Sequence, residues 1–167
     1  MALLSRHSAN HDPALTPWTL TIAVAAQDDG THPAFAGLPV LVQPRGDLGA
    51  RMSGVLRHMP PGPAIIIGTD IPGIQPCHIH QAFHKLGTND AIFGPADDGG
   101  YWLVGLARRR PVPYAFMRNV PWSTPDALTA TLATLPAEMC VGFLDPLSDV
   151  DDGASYAAYL KEGRRAR

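Results

Sequence analysis

The chain has 167 residues, a net charge of −2 at pH 7, and 46% hydrophobic against 17% charged residues. This much apolar material excludes an intrinsically disordered chain, and the length suits a single domain with its own core. The near-neutral charge gives no electrostatic reason to expect nucleic acid binding. No apolar stretch reaches the ~20 residues that cross a bilayer, so a membrane is not an expected partner either.

The first residues and the cysteines indicate a cellular compartment, and the last residues indicate a tail. Residues Met1–His7 turn polar too soon for a signal peptide, and Cys77 and Cys140 are too few for a disulfide framework. Together these features favour the reducing cytoplasm. The basic residues within 162–167 are expected to form a solvated, disordered tail.

The first half of the chain predicts three strands and a helix. Thr19–Ala26 is β-branched and apolar and is bounded by turn residues, which is typical of a strand, and Pro39–Gln43 is a shorter one. Leu48–Met59 has apolar residues at helical spacing, and a proline-rich segment ends it. Ala64–Gly68 is apolar on both faces, as a covered parallel strand must be.

The second half continues the alternation of strands and helices. Thr124 supplies an N-cap hydroxyl and Pro125 a first helical residue for one of its helices. In chain order the predicted elements are helix Gln75–Leu86, strands Asp90–Pro95 and Tyr101–Leu106, helix Asp126–Leu135, strand Met139–Leu144 and helix Ala154–Lys161. The pattern predicts one α/β layered domain, residues 1–167, with a mostly parallel sheet.

Aspartates follow several of the predicted strands. Asp70 comes after Ala64–Gly68, Asp98 after Asp90–Pro95, and Asp151 after the last strand. Ligands of open α/β sheets bind at the carboxyl ends of strands. Carboxylates without His or Cys partners suit Mg²⁺ or Mn²⁺, which takes its other ligands from water and substrate phosphate. The alternative is that each aspartate only caps a helix or an Asx turn.

Five segments then carry a resemblance to one protein family. They are Gly46–Met52 (GDLGARM), Ile67–Pro72 (IGTDIP), Gly94–Leu106 (GPADDGGYWLVGL), Asn119–Thr124 (NVPWST) and Asp149–Asp151 (DVD). With these segments in this order, the chain resembles the radical-SAM/selenodomain-associated transferase 1 family. That bacterial group has a glycosyltransferase-A-type (GT-A) nucleotide-diphospho-sugar transferase fold and is related to the nucleotidyltransferases that build molybdopterin and F420 cofactors.

The resemblance implies a three-layer α/β/α fold and a set of site residues. It implies a nucleotide or nucleotide sugar, an acceptor, and Mg²⁺ or Mn²⁺ held by Asp70 and Asp151. Asp70 and Asp98 are the implied catalytic residues. The implied substrate-binding residues are Gly46, Asp47, Leu48, Gly49, Gly99, Gly100, Tyr101, Trp122 and Ser123.

One departure from the family concerns the N-terminal region. Members open with a strand and a Pro-Gly-x-x-Lys-Thr-Arg-Leu loop that should contact base and phosphates, and no segment here matches it. The resemblance therefore implies an N-terminally shortened domain in which residues 1–17 are a partial first helix and loop. Ala2–Asn10 is then the end of that helix, and the sheet lacks its first, central strand.

Two functions follow from these features. The first is a nucleotide-dependent glycosyltransferase or nucleotidyltransferase. The second is a catalytically impaired remnant that serves as a binding or interaction module, with the vacated sheet position open to a partner or to a homodimer.

Overall fold

The computed structural model describes residues 1–6, 18–25 and 30–150, and these ranges form seven strands and three α-helices. The strands are β1 (Ala2–Arg6), β2 (Trp18–Val24), β3 (Val40–Val42), β4 (Ala64–Ile67), β5 (Ala91–Pro95), β6 (Tyr101–Leu106) and β7 (Val141–Phe143). The helices are α1 (Leu48–His58), α2 (Pro76–Lys85) and α3 (Ala127–Ala133), with a 3₁₀ turn at Pro33–Phe35. Asp151, the predicted helix Ala154–Lys161 and the tail 162–167 lie outside the described residues.

The strands form one mixed sheet in the order β3-β2-β1-β4-β6-β5-β7. Five of the seven strands run in one direction, and β1 and β6 run in the other. The predicted α/β class, with most strands in a common direction, is therefore confirmed. Because both reversed strands lie inside the sheet, the pairs β1–β2, β1–β4, β4–β6 and β5–β6 are antiparallel.

Helices cover both faces of the sheet and make the predicted three layers. Ile66 of β4 belongs to the same buried cluster as Val55 of α1, and Leu128 of α3 packs against that cluster. Ile65, the neighbouring strand residue, belongs to the other cluster together with Phe83 of α2. Successive residues of a strand point to opposite faces, so the continuous apolar run of β4 fills both cores.

The helix boundaries follow from local chemistry. Asp47 is the N-cap of α1, and its Oδ1 accepts a hydrogen bond of 2.7 Å from the Ala50 amide. Helix α3 begins one residue later than predicted and ends at Ala133, since Pro136 keeps the residue before it out of the helical region. No helix in the described part of the chain is long and apolar enough to cross a membrane.

The prediction of a helix end at Ala2–Asn10 is wrong for Ala2–Arg6, which form strand β1 between β2 and β4. Leu3 is fully buried in the α1-side cluster and Leu4 is 5% exposed in the α2-side cluster. Two adjacent leucines that are buried on opposite faces are typical of a strand. Strand β1 also provides hydrogen-bond partners for the backbone of β4 along an edge that would otherwise be unpaired. The central position is thus occupied by this chain and is not open to a partner.

We expect Leu3→Ala and Leu4→Ala each to lower the free energy of unfolding by ~2–5 kcal/mol, because each removes a side chain buried in one of the two cores. Urea denaturation followed by circular dichroism measures the loss. Leu38→Ala is the matched control, since that leucine is 37% exposed, and we expect it to cost under ~1 kcal/mol. A loss at only one of Leu3 and Leu4 would contradict the strand.

Candidate active site

A cavity of about 350 Å³ opens at the carboxyl ends of β4 and β5. Its walls come from Met1, the start of α1, the loop after β4, strand β6 and the loop before α3. This is the edge of the sheet at which the sequence predicts ligand binding. The predicted site residues that line it are Leu48, Asp70, Asp98, Gly100, Tyr101, Trp122 and Ser123.

Two predicted carboxylates share this cavity. Asp70 and Asp98 are both exposed and both line it, and Asp149 lines it as well. Asp98 Oδ1 accepts a 2.8 Å hydrogen bond from the Gly100 amide, which orients the carboxylate. The Val150 amide donates a hydrogen bond to the Asp70 carbonyl at 3.0 Å, so Val150 lies beside Asp70. Asp151 comes next and lies outside the described residues.

The donor set of the cavity is suited to a hard cation. The charged side chains of the described residues that line it are carboxylates, and no His or Cys of the described ranges lines it. Among residues 1–6, 18–25 and 30–150, no group of three or more His, Cys, Asp or Glu side chains is placed to hold a metal ion. The chemistry therefore fits Mg²⁺ or Mn²⁺ bound by one or two carboxylates, with water and phosphate as the other ligands. It does not fit a closed site made only of protein ligands.

A β-bulge in β6 directs two aromatic side chains at the cavity. Gly94 pairs with Leu103 and Pro95 pairs with Tyr101, so Trp102 stands opposite no residue of β5. Trp102 therefore shares the α2-side cluster with its neighbour Leu103, and Tyr101 packs with the α1-side cluster. Bulges of this kind re-aim side chains and are frequent beside active sites.

Tyr101 and Trp122 form an aromatic wall. Their ring centroids are 6.4 Å apart at an interplanar angle of 71°. Burial raises the pKa of the Tyr101 phenol, and a 3.4 Å hydrogen bond with the Thr131 hydroxyl opposes that shift, so the phenol stays neutral at physiological pH. Trp122 Nε1 is buried and has no hydrogen-bond partner in the described part of the chain. A buried donor without a partner is unusual in a folded protein.

Four predicted substrate-binding residues do not line the cavity: Gly46, Asp47, Gly49 and Gly99. Asp47 caps α1, directly after Gly46. Gly49 lies very close to the loop between β6 and α3. A Cβ at Gly49 would be 2.0 Å from the Met117 carbonyl and 2.8 Å from the Trp122 ring. Gly99 has φ +87°, and a Cβ there would be 2.2 Å from the Pro125 carbonyl. The contacts of Asp47, Gly49 and Gly99 therefore position the walls of the cavity.

Sequence reasoning missed Met52 and Thr69, which also line the cavity. Met52 lies four residues after Leu48, so helical spacing alone places it on the same face of α1. Thr69 precedes Asp70 in the loop after β4, where any polar side chain is a candidate.

Comparisons with known proteins agree with the fold. The family model described as "Uncharacterized protein conserved in bacteria (DUF2064)" matches residues 10–124. A crystal structure of a candidate nucleotide-diphospho-sugar transferase from Desulfovibrio desulfuricans G20 is similar, with a TM-score of 0.64 and 23% sequence identity. The match covers 78% of this chain and 60% of that one, so this chain spans well under the whole length of that relative. No curated protein matches this chain.

We expect Gly49→Ala to lower the free energy of unfolding by ~1–3 kcal/mol, because the new methyl group must displace the Met117 backbone. Alanine has a higher helix propensity than glycine, so helix propensity alone would not lower stability and a loss isolates the steric effect. Urea denaturation measures it. Gly73→Ala is the control: its new methyl group would meet nothing closer than 3.9 Å. A gain in stability at Gly49 would contradict the close approach.

Proposed function

The chain belongs to DUF2064, a family of uncharacterized proteins conserved in bacteria, and from that premise we propose that it is a nucleotide-dependent transferase. Its donor is a nucleotide or nucleotide sugar, and it transfers a glycosyl or nucleotidyl group to an acceptor. One observation carries the proposal: Asp70, Asp98 and the Tyr101–Trp122 wall meet in one cavity at the carboxyl ends of the strands. The five sequence motifs support a finer placement in the radical-SAM/selenodomain-associated transferase 1 group.

Each side chain has a proposed part in that reaction. Asp70, with Asp151, holds Mg²⁺ or Mn²⁺, which supplies stabilisation of the charge that develops on phosphate. Asp98 faces the acceptor, where an oriented carboxylate can accept the proton of an attacking hydroxyl. Leu48, Tyr101 and Trp122 provide apolar and aromatic surface for the organic part of the donor.

One observation favours the second function, a binding or interaction module without activity. No Lys or Arg side chain lines the cavity in the part of the chain that the structure describes. Group transfer from a diphosphate normally uses cations to offset the leaving group's charge. The two functions differ in whether a nucleotide binds with a divalent cation, and that difference is measurable.

Both cysteines support a reducing compartment for this reaction. Cys77 and Cys140 are exposed free thiols. Exposed thiols persist in the cytoplasm and tend to oxidise outside it. We therefore propose a cytoplasmic transferase.

We expect the wild-type protein to bind at least one of ADP, CDP, GDP and UDP in the presence of Mn²⁺, and Asp70→Asn to weaken that binding ~10-fold or more. The neutral amide keeps the size of the side chain but loses the charge that holds the cation. Isothermal titration calorimetry, with and without Mn²⁺, gives both affinities.

Glu138→Gln is the matched control, because it removes one carboxylate charge at the opposite end of the sheet. We expect it to bind like wild type. If wild type binds no nucleotide at millimolar concentration, the transferase proposal fails. If Asp70→Asn binds as well as wild type, the metal assignment alone fails.

A further inference from the structure

Among the described residues, the charged side chains on the cavity wall are carboxylates. Asp70, Asp98 and Asp149 line it, and none of the lysines or arginines within the described ranges does. A diphosphate placed among carboxylates needs a cation within hydrogen-bonding reach. A cationic side chain beside the lining residues would meet that need.

Arg51 stands in that position. It lies on α1 three residues after Leu48 and directly before Met52, and both of these neighbours line the cavity. Residues three apart lie next to each other on a helix surface, so Arg51 shares the cavity side of α1. A second observation agrees: burial lowers the pKa of the Met1 ammonium at the cavity wall, Asp70 raises it, and Arg51 lowers it. The Asp70 and Arg51 charges therefore act on the same part of the wall.

The hydrogen bonding of Arg51 is incomplete. Its Nε is buried and has no partner among the residues described, although the side chain is only half-buried. The other arginines that are held in place donate to carbonyls, as Arg57 does to Pro113, and Arg108 to Met59 and Pro60. A buried donor without an acceptor costs free energy, so the packing of the protein alone does not fully satisfy this side chain.

Two buried side-chain donors in the described part of the chain have no partner. One is Arg51 Nε, and the other is Trp122 Nε1, whose ring packs against Gly49. The guanidinium fork of Arg51 matches two oxygens of a phosphate.

We propose that Arg51 binds phosphate oxygens of the diphosphate moiety of the donor. The proposal rests on the proposed function, since it assigns a part of the same cavity. It gives this chain a phosphate-binding cation on α1, next to Leu48 and Met52 of the cavity wall. The charge of Arg51 acts on the bound ligand directly and not through another residue.

Calorimetric titration of inorganic pyrophosphate and of the four nucleoside diphosphates, each with Mg²⁺, tests the proposal. We expect Arg51→Gln to weaken pyrophosphate and nucleoside diphosphate binding ~10- to 100-fold, as loss of a charged hydrogen bond does. Arg51→Lys keeps the charge without the fork and should fall between wild type and Arg51→Gln. Arg110→Gln is the matched control, because that exposed arginine lines a separate cavity at the other end of the sheet.

The outcomes separate this inference from the proposed function. If nucleoside diphosphates bind and Arg51→Gln leaves their affinity unchanged, the inference is overturned and the function stands. If pyrophosphate binds through Arg51 but no nucleotide binds, the inference stands and the function fails. Binding of neither ligand to wild type overturns both. Equal losses in Arg51→Gln and Arg110→Gln would indicate a general charge effect and overturn the inference.

A measurement on the wild-type protein covers the case in which Arg51→Gln does not fold. The Arg51 Nε–H resonance in ¹⁵N-edited NMR spectra should shift and be protected from exchange when pyrophosphate and Mg²⁺ are added. An unchanged Arg51 resonance at saturating pyrophosphate overturns the inference without any substitution.

Discussion

The pairing of β4 on both of its edges is the constraint on which the rest of the structure depends. β4 is apolar on both faces and lies in the middle of the sheet, so water reaches neither edge of its backbone. Buried amides and carbonyls must find partners, and β6 supplies them on one edge and β1 on the other. Without β1 the sheet would divide into two parts, and one edge of β4 would have no partners.

That pairing also determines the shape of the cavity. Because β6 is antiparallel to β4 and β5, its first residues lie at the edge where β4 and β5 end. The bulge at Trp102 then turns Tyr101 towards α1 and Trp102 towards α2. Asp70, in the loop after β4, lines the same cavity. The carboxylate that follows β4 and the aromatic residues at the start of β6 therefore meet because the two strands run in opposite directions.

The sequence predicts the parts of this arrangement that one segment encodes by itself. The run Ala64–Gly68 predicts a strand that is buried on both faces. The position of Asp70 directly after that strand predicts that it lies at the candidate site. The bulge depends on the register between β5 and β6, and the segment YWLVGL alone reads as an unbroken strand. Strand β1 has five residues, too few for a periodic signal, and the family resemblance favoured a helix there over the adjacent buried leucines. The burial of Arg51 Nε is likewise set by tertiary packing, although its spacing from Leu48 is visible in the sequence.

The charges around the cavity make its two proposed ligands interdependent. A diphosphate brings negative charge to a wall that already carries Asp70, Asp98 and Asp149, and the nearby Arg51 offsets only part of it. A divalent cation bound at Asp70 would reduce the remaining repulsion, and a bound diphosphate would in turn complete the coordination that one or two carboxylates leave open. Such coupling is reciprocal, so each ligand must raise the affinity of the other by the same factor. On this reasoning neither ligand binds tightly alone, and the loss of positive charge at Arg51 increases the dependence of diphosphate binding on the cation.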